Sequence, residues 1–244
     1  MHRTSPEGAA LARELAALSA ADPASATAPV VVLCPAAPAL ESVSRALSGS
    51  GMALGAQNLH PEPQGAYTGE VSGSMLRAAG CTWVIVGHSE RRHGMGETDA
   101  LVAAKLRAAQ RDGLVPIVCV GETLAERERG LTEEVLVRQV TVAYHGLATA
   151  EARGTAIAYE PVWAIGTGKV ATPEQARDAR SRARPGRGGG GRNPLRRQRQ
   201  CRQCRLAVRR ARRGRRARGR RVARGRVVLE DRERGERSGL TLAF

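Results

Sequence analysis

The chain has 244 residues, which is enough for one large domain or two small ones. Its formal net charge of +16 is unevenly distributed: residues 1–179 carry 15 basic and 19 acidic side chains, whereas residues 180–244 carry 24 basic and four acidic ones. No apolar run is long enough to cross a membrane and no secretory signal is recognisable, so the sequence predicts neither a membrane partner nor export.

The cysteines favour a reducing compartment. Of the five in the chain, Cys34, Cys81 and Cys119 lie in apolar runs, as buried thiols do. Because nothing in the sequence directs the chain out of the cell, we expect a cytoplasmic protein with reduced thiols.

Short apolar strands alternate with helical segments along the mildly acidic part. Strands are predicted at residues 30–34, 52–57, 83–86, 115–120 and 155–159. Helices are predicted at residues 5–18, 40–47, 72–79, 98–111 and 123–147, with an interruption near Gly130 and a further helix start near residue 172. This order is typical of βα units that form a parallel sheet.

A polar cluster follows each of the later strands. Since ligands of parallel α/β folds bind at the carboxyl ends of the strands, we expect one face to collect these side chains. The residues concerned are Asn58, His88, Glu122 and Glu160.

One stretch stands out, in which the strand ending at Tyr159 leads to Glu160 and a loop with glycines and a lysine. It reads Ala-Tyr-Glu-Pro-Val-Trp-Ala-Ile-Gly-Thr-Gly-Lys over residues 158–169. Taken alone, the pattern also fits an ordinary strand-to-helix connection with a surface glutamate. A second motif, Gly-His-Ser-Glu-Arg-Arg over residues 87–92, follows another strand, and His88 alone would also fit a structural hydrogen-bonding role.

Both stretches, in this order, resemble the triosephosphate isomerase family, and the resemblance covers roughly residues 1–175. It implies an eight-stranded (β/α)8 barrel of which this chain supplies about strands two to six. It also implies isomerisation between dihydroxyacetone phosphate and D-glyceraldehyde 3-phosphate through an enediolate, in glycolysis and gluconeogenesis, with no metal or organic cofactor. In that chemistry His88 is the electrophile, Glu160 accepts the carbon-bound proton, and Gly166 offers a backbone amide to the substrate phosphate.

The resemblance extends to residues around the site. Glu90, with Arg91, is similar to an ion-paired support beneath it, although a solvated charged surface would give the same pattern. Cys119 matches a family cysteine near the site, where a buried structural thiol is the simplest role. The loop from Gln57 to Glu70 resembles the family's long third loop, which inserts into a partner subunit and implies a homodimer.

The two ends of the sequence depart from the family pattern. The chain begins just after the family's first strand and its phosphate-binding lysine. Neither glycine pair expected near strands seven and eight is present, so we expect little activity from the chain as written. We therefore divide the chain into residues 1–178, a partial barrel, and residues 179–244, a poorly ordered Arg/Gly-rich tail.

The tail has two interpretations. Read one nucleotide later, codons permitted for residues 194–200 and 214–224 can encode the family's two glycine-pair motifs, so we hypothesise that the tail is out of frame. Alternatively, residues 180–229 bind nucleic acid through phosphate contacts, in a non-catalytic basic protein.

The frame hypothesis predicts that resequencing the gene across codons 175–180 will reveal an insertion or deletion that restores both motifs. Stop codons in the shifted frame would contradict it.

Overall fold

The computed structural model describes residues 2–21, 30–164, 224–228 and 239–243. The strands are β1 (Val30–Leu33), β2 (Ala53–Ala56), β3 (Trp83–Val86), β4 (Val115–Val120), β5 (Ala156–Tyr159), β6 (Arg224–Val228) and β7 (Gly239–Ala243). The helices are α1 (Ser5–Ala21), α2 (Leu40–Ala46), α3 (Gly73–Ala78), α4 (Ser89–Gly94), α5 (Asp99–Arg111), α6 (Leu124–Glu128), α7 (Thr132–Tyr144) and α8 (Thr149–Arg153). Two 3-10 turns cover Ala37–Ala39 and Val162–Ala164.

Strands β1 to β5 pair in chain order, each parallel to the next. The sheet curls into half a barrel, which confirms the prediction of an incomplete (β/α)8 fold with five consecutive strands. At the other edge of β1, β7 pairs parallel to it and β6 pairs antiparallel to β7. These two strands are the described part of residues 179–244, and the predicted helix start near residue 172 lies outside the described residues.

The strands are apolar because both faces of the sheet are covered. Along β3, Val84 and Val86 pack with the helices, whereas Ile85 belongs to a separate inner cluster. The same alternation continues in β4 and β5, where side chains such as Cys119 and Ala158 face inward. Such period-two alternation with apolar residues on both faces is typical of a parallel sheet covered by helices.

Local signals fix several helix ends. The predicted interruption near Gly130 is confirmed: α6 ends at Glu128, and Gly130 has a φ of 74°, which favours glycine. Helix α6 begins with a capping box in which Thr123 and Glu126 each bond to the other's backbone N–H. Helix α4 was not predicted from the sequence, because its residues, Ser-Glu-Arg-Arg-His-Gly, include no apolar side chain that could show a helical period.

A buried ion pair joins α5 to the segment before it. Glu97 accepts hydrogen bonds from Lys105 and Arg91, and Lys105 Nζ also donates to Asn58 Oδ1 at 2.7 Å. Burial alone raises the pKa of Glu97, but the bonds from Lys105 and Arg91 outweigh it and hold the pKa below its ordinary value of 4.5. Burial lowers the pKa of Lys105, and Glu97 offsets this only in part.

This pair makes stability acid-sensitive. Because the pKa of Glu97 is depressed in the folded state, its contribution is present above the ordinary value of 4.5 and is lost as the pH falls through the folded value. Replacing Glu97 by Gln leaves Lys105 buried without its anion, and we expect a loss of about 3 kcal/mol at neutral pH. Urea unfolding across the acid range measures both effects.

The matched control is Glu41→Gln, which removes an exposed carboxylate paired with Arg45. An equal loss in both variants, or an unchanged acid profile in Glu97→Gln, would contradict the prediction.

Candidate active site

The polar residues predicted to share one face follow successive parallel strands. Asn58 follows β2, His88 follows β3, Glu122 follows β4 and Glu160 follows β5. The structure brings His88 and Glu160 into direct contact. Asn58 instead joins the buried Glu97–Lys105 pair, and Glu122 is enclosed beneath the surface with a relative exposure of 0%.

His88 and Glu160 form the centre of the site. His88 Nε2 lies 3.2 Å from Glu160 Oε1, and the Ser89 backbone N–H donates to Glu160 Oε2 at 3.1 Å. Their side chains are 22% and 16% exposed, so both remain accessible while most of their surface is covered. A carboxylate and an imidazole are thus held side by side at the mouth of the half barrel.

The position of His88 determines which of its nitrogens carries a proton. His88 is the N-cap residue of α4, and its Nδ1 accepts a hydrogen bond from the Glu90 backbone N–H at 3.3 Å. An accepting Nδ1 leaves the proton of a neutral imidazole on Nε2. The Nε2–H therefore faces Glu160 and the open side of the site.

Cys119 lies behind the Glu160 carboxylate. It is buried in the inner cluster near the end of β4, and burial first, then the adjacent Glu160, raises the pKa of its thiol well above the ordinary value. At neutral pH Cys119 is therefore a thiol that packs against the carboxylate rather than a competing nucleophile. Burial also raises the pKa of Cys34, and it raises that of Cys81 to about 11.

The remaining predicted residues are placed as follows. The Glu90 carboxylate is 80% exposed, with Oε2 3.9 Å from His88 Nδ1, so its closest link to the site is through its backbone N–H. Arg91 pairs with Glu97. Gly166 lies outside the described residues.

Glu122 is the site residue to which the sequence reasoning gave no role. Its carboxylate accepts hydrogen bonds from Tyr159, Trp163 and Arg127. One signal was available in the sequence: Glu122 directly follows the run Val-Cys-Val-Gly at the end of β4. Its partners Tyr159 and Trp163 lie one residue before and three residues after Glu160. Sequence alone does not show that these side chains converge.

Within the described ranges, no group of three or more His, Cys, Asp and Glu side chains is arranged to hold a metal ion. The described helices also include none that is long and apolar enough to span a bilayer.

Comparison with known proteins gives the same family as the motifs. A family model described as Triosephosphate isomerase matches residues 1–185, three quarters of the chain. The chain belongs to the triosephosphate isomerase family. The resemblance found in the sequence is thereby confirmed.

Individual relatives show how far the similarity reaches. Triosephosphate isomerase of Moorella thermoacetica is 56% identical over 178 residues, which is 73% of this chain and 70% of the relative. That of Herpetosiphon aurantiacus is 50% identical over 184 residues, 75% of this chain and 72% of the relative. That of Rhodopirellula baltica is 58% identical over 146 residues, 60% of this chain and 58% of the relative.

The backbone of Glu160 lies against Gly121 so closely that only glycine fits. A Cβ added to Gly121 would be 1.7 Å from the Glu160 carbonyl oxygen. The Gln139 side chain holds Gly121 from behind, accepting from its N–H at 2.9 Å and donating to its carbonyl at 3.2 Å. Gly121 therefore cannot shift away from an added methyl group without breaking both bonds.

We predict that Gly121→Ala displaces Glu160 and destabilises the fold by at least about 2 kcal/mol. Gly94→Ala is the matched control, because nothing lies within 4 Å of a Cβ built there. Urea unfolding of the two variants measures the difference, and equal stability would contradict the close approach.

Proposed function

We propose that this chain interconverts dihydroxyacetone phosphate and D-glyceraldehyde 3-phosphate through an enediolate. The observation that carries the proposal is the 3.2 Å contact between His88 Nε2 and Glu160 Oε1 at the carboxyl ends of the strands, in a chain of this family. Isomerising a hydroxyketone needs a base for a carbon-bound proton and a donor for the developing oxyanion, and this pair supplies one of each.

The proton balance requires no other reactant. The Glu160 carboxylate removes a proton from the hydroxyl-bearing carbon, while His88 Nε2–H donates to the neighbouring carbonyl oxygen as it becomes an enediolate oxygen. Protons are exchanged between the two oxygens through His88. Glu160 then returns its proton to the former carbonyl carbon, which yields the aldose, and the substrate's phosphate group is unchanged.

Neighbouring groups support these two roles. The Ser89 N–H at 3.1 Å orients the Glu160 carboxylate, and the Glu90 N–H at 3.3 Å keeps the His88 proton on Nε2. Cys119 supplies a neutral, buried contact behind the base. We therefore propose His88 and Glu160 as catalytic residues, and Glu90 and Cys119 as supporting ones.

We also propose a cytoplasmic homodimer that forms through the loop from Gln57 to Glu70. The proposal is supported by an exposed aromatic side chain in this loop: the Tyr67 ring packs on His60 with centroids 3.9 Å apart, yet Tyr67 remains 45% exposed. Free, buried thiols at Cys34, Cys81 and Cys119 agree with a reducing compartment.

The same protein has a second candidate function. Residues 180–229 are rich in arginine and contain no acidic residue, which favours binding to phosphate backbones with a steep salt dependence. A DNA mobility shift that disappears with added salt, together with an absence of isomerase activity, would favour the non-catalytic interpretation.

Because both glycine-pair motifs are missing from the sequence, we propose that the chain as written is a weak isomerase.

The experiment that tests the isomerase is a comparison of Glu160→Gln with the wild-type chain. We expect the variant to lose between about a hundredfold and about ten-thousandfold in kcat, because an amide cannot accept the carbon-bound proton. A coupled assay measures turnover, and deuterium uptake by the product from D2O reports proton abstraction directly.

Glu128→Gln is the control, since Glu128 is an exposed carboxylate at the end of α6. Equal activity of Glu160→Gln and wild type, or a folded wild-type chain with no turnover and no deuterium uptake, would contradict the proposal.

A further inference from the structure

A buried carboxylate connects the segments that surround Glu160. Glu122 is 0% exposed, and the Tyr159 hydroxyl lies 3.0 Å from both of its oxygens. Trp163 Nε1 donates to Glu122 Oε1 at 3.1 Å, and Arg127 Nη1 donates to the same oxygen at 3.0 Å. Burying a carboxylate is costly unless donors surround it, and here donors come from β5, the 3-10 turn and α6.

These bonds hold both sides of Glu160. Tyr159 precedes Glu160 directly, and Trp163 follows it by three residues. Between them, the Val162 backbone N–H donates to the Glu122 carbonyl oxygen at 3.2 Å. Movement of Glu122 would therefore shift the backbone on either side of Glu160.

Arg127 makes two contacts in this arrangement. It is the one cation paired with Glu122 among the ion pairs of the described residues. Its Cζ also lies 4.7 Å from the centroid of the Trp163 ring, within the range of a cation–π interaction. The guanidinium thus balances the charge of Glu122 and covers the ring that donates to it.

Helix α6 holds Arg127 at this position. Its N-cap residue, Thr123, directly follows Glu122 in the sequence, and the capping box with Glu126 fixes the first turn of the helix. Arg127, five residues after Glu122, is thereby returned to the end of β4. The Arg127 side chain is only 28% exposed, so its ion pair with the fully buried Glu122 is less screened than a surface pair.

We propose that Arg127 is a positioning residue of the isomerase site: through Glu122 and Trp163 it holds the backbone that carries Glu160. The proposal rests on the proposed function for its kinetic consequence. A purely structural arginine would affect the unfolding midpoint and leave kcat of the folded enzyme unchanged. A positioning arginine changes kcat because the base is displaced, and displacement of a reacting group by about 1 Å can cost about a hundredfold.

The test compares Arg127→Met, Arg127→Lys and Arg129→Met in the full chain. Methionine keeps length and apolar contact but removes the charge, whereas lysine keeps the charge and loses the planar stacking on Trp163. Arg129, exposed at the end of the same helix, serves as the matched control. The readouts are kcat and KM in the coupled assay, the unfolding midpoint, and the indole N–H signal of Trp163 in 15N-labelled protein, assigned with Trp163→Phe.

We expect Arg127→Met to lower kcat between about tenfold and about a hundredfold with KM changed less than about threefold. The Trp163 indole N–H should shift and exchange faster with solvent, Arg127→Lys should recover part of both losses, and Arg129→Met should match wild type. If Arg127→Met fails to fold, Arg127→Lys alone tests the proposal. A reduced kcat together with a shifted indole signal would support it, and an unchanged kcat would overturn it.

If the wild-type chain is active, an unchanged kcat in folded Arg127 variants would overturn the proposal, whatever the indole signal does, as would equal effects in Arg129→Met. If the wild-type chain is folded but inactive, the proposed function fails separately. The indole signal then still decides whether Arg127 holds Trp163: a shift in Arg127→Met supports this, and no change overturns it.

Discussion

The parallel register of β3, β4 and β5 is the constraint on which the site depends. Val86 pairs with Val118, and Val120 pairs with Tyr159, so His88 and Glu160 emerge at nearly the same height although a whole strand separates them. Adjacent strands lie about 4.8 Å apart, which puts the two backbones about 10 Å from each other, a gap that a glutamate and a histidine side chain can span. A slip of one residue would turn Glu160 to the helical face.

The conformation of the strand ends determines the direction of each side chain. Glu160 continues the inward-facing positions of Ala156 and Ala158. His88 does not continue its strand, because Gly87 has a φ of 70° and redirects the chain into α4. Gly121 occupies the inward position between them, and its missing side chain is what lets the Glu160 backbone come so close.

Three glutamates of this half barrel differ in role because their surroundings differ. Glu97 is buried between two cations and stabilises the fold, and Glu122 is buried among donors that belong to the segments around the site. Glu160 alone of the three keeps part of its carboxylate open, beside the His88 imidazole, the Ser89 backbone N–H and the Cys119 thiol. The residue type is the same, and the extent of burial separates the two structural groups from the proposed base.

Those surroundings also explain how far the sequence could be interpreted. The strands were predictable because runs such as Trp-Val-Ile-Val are apolar on both faces, and His88 and Glu160 were found because each follows such a run in a specific motif. The partners of Glu97 and Glu122 were not predictable, since Lys105 and Arg127 resemble surface charges on amphipathic helices until the helices are packed. Arg91 has two acidic candidates in the sequence, and only the fold shows that its partner is Glu97 rather than the adjacent Glu90.

The geometry of the site depends on whether β5 stays in place, and not only on whether the whole domain is folded. The strand that leads to Glu160 is hydrogen-bonded to β4, and Glu160 lies just beyond its last residue. The end of a strand opens more readily than its centre, and such local opening requires less free energy than unfolding of the whole domain. The side chains that converge on Glu122 add cross-links to this strand end beyond those of the backbone ladder. Fraying of a single strand would therefore separate the base from the imidazole while the rest of the half barrel stayed folded.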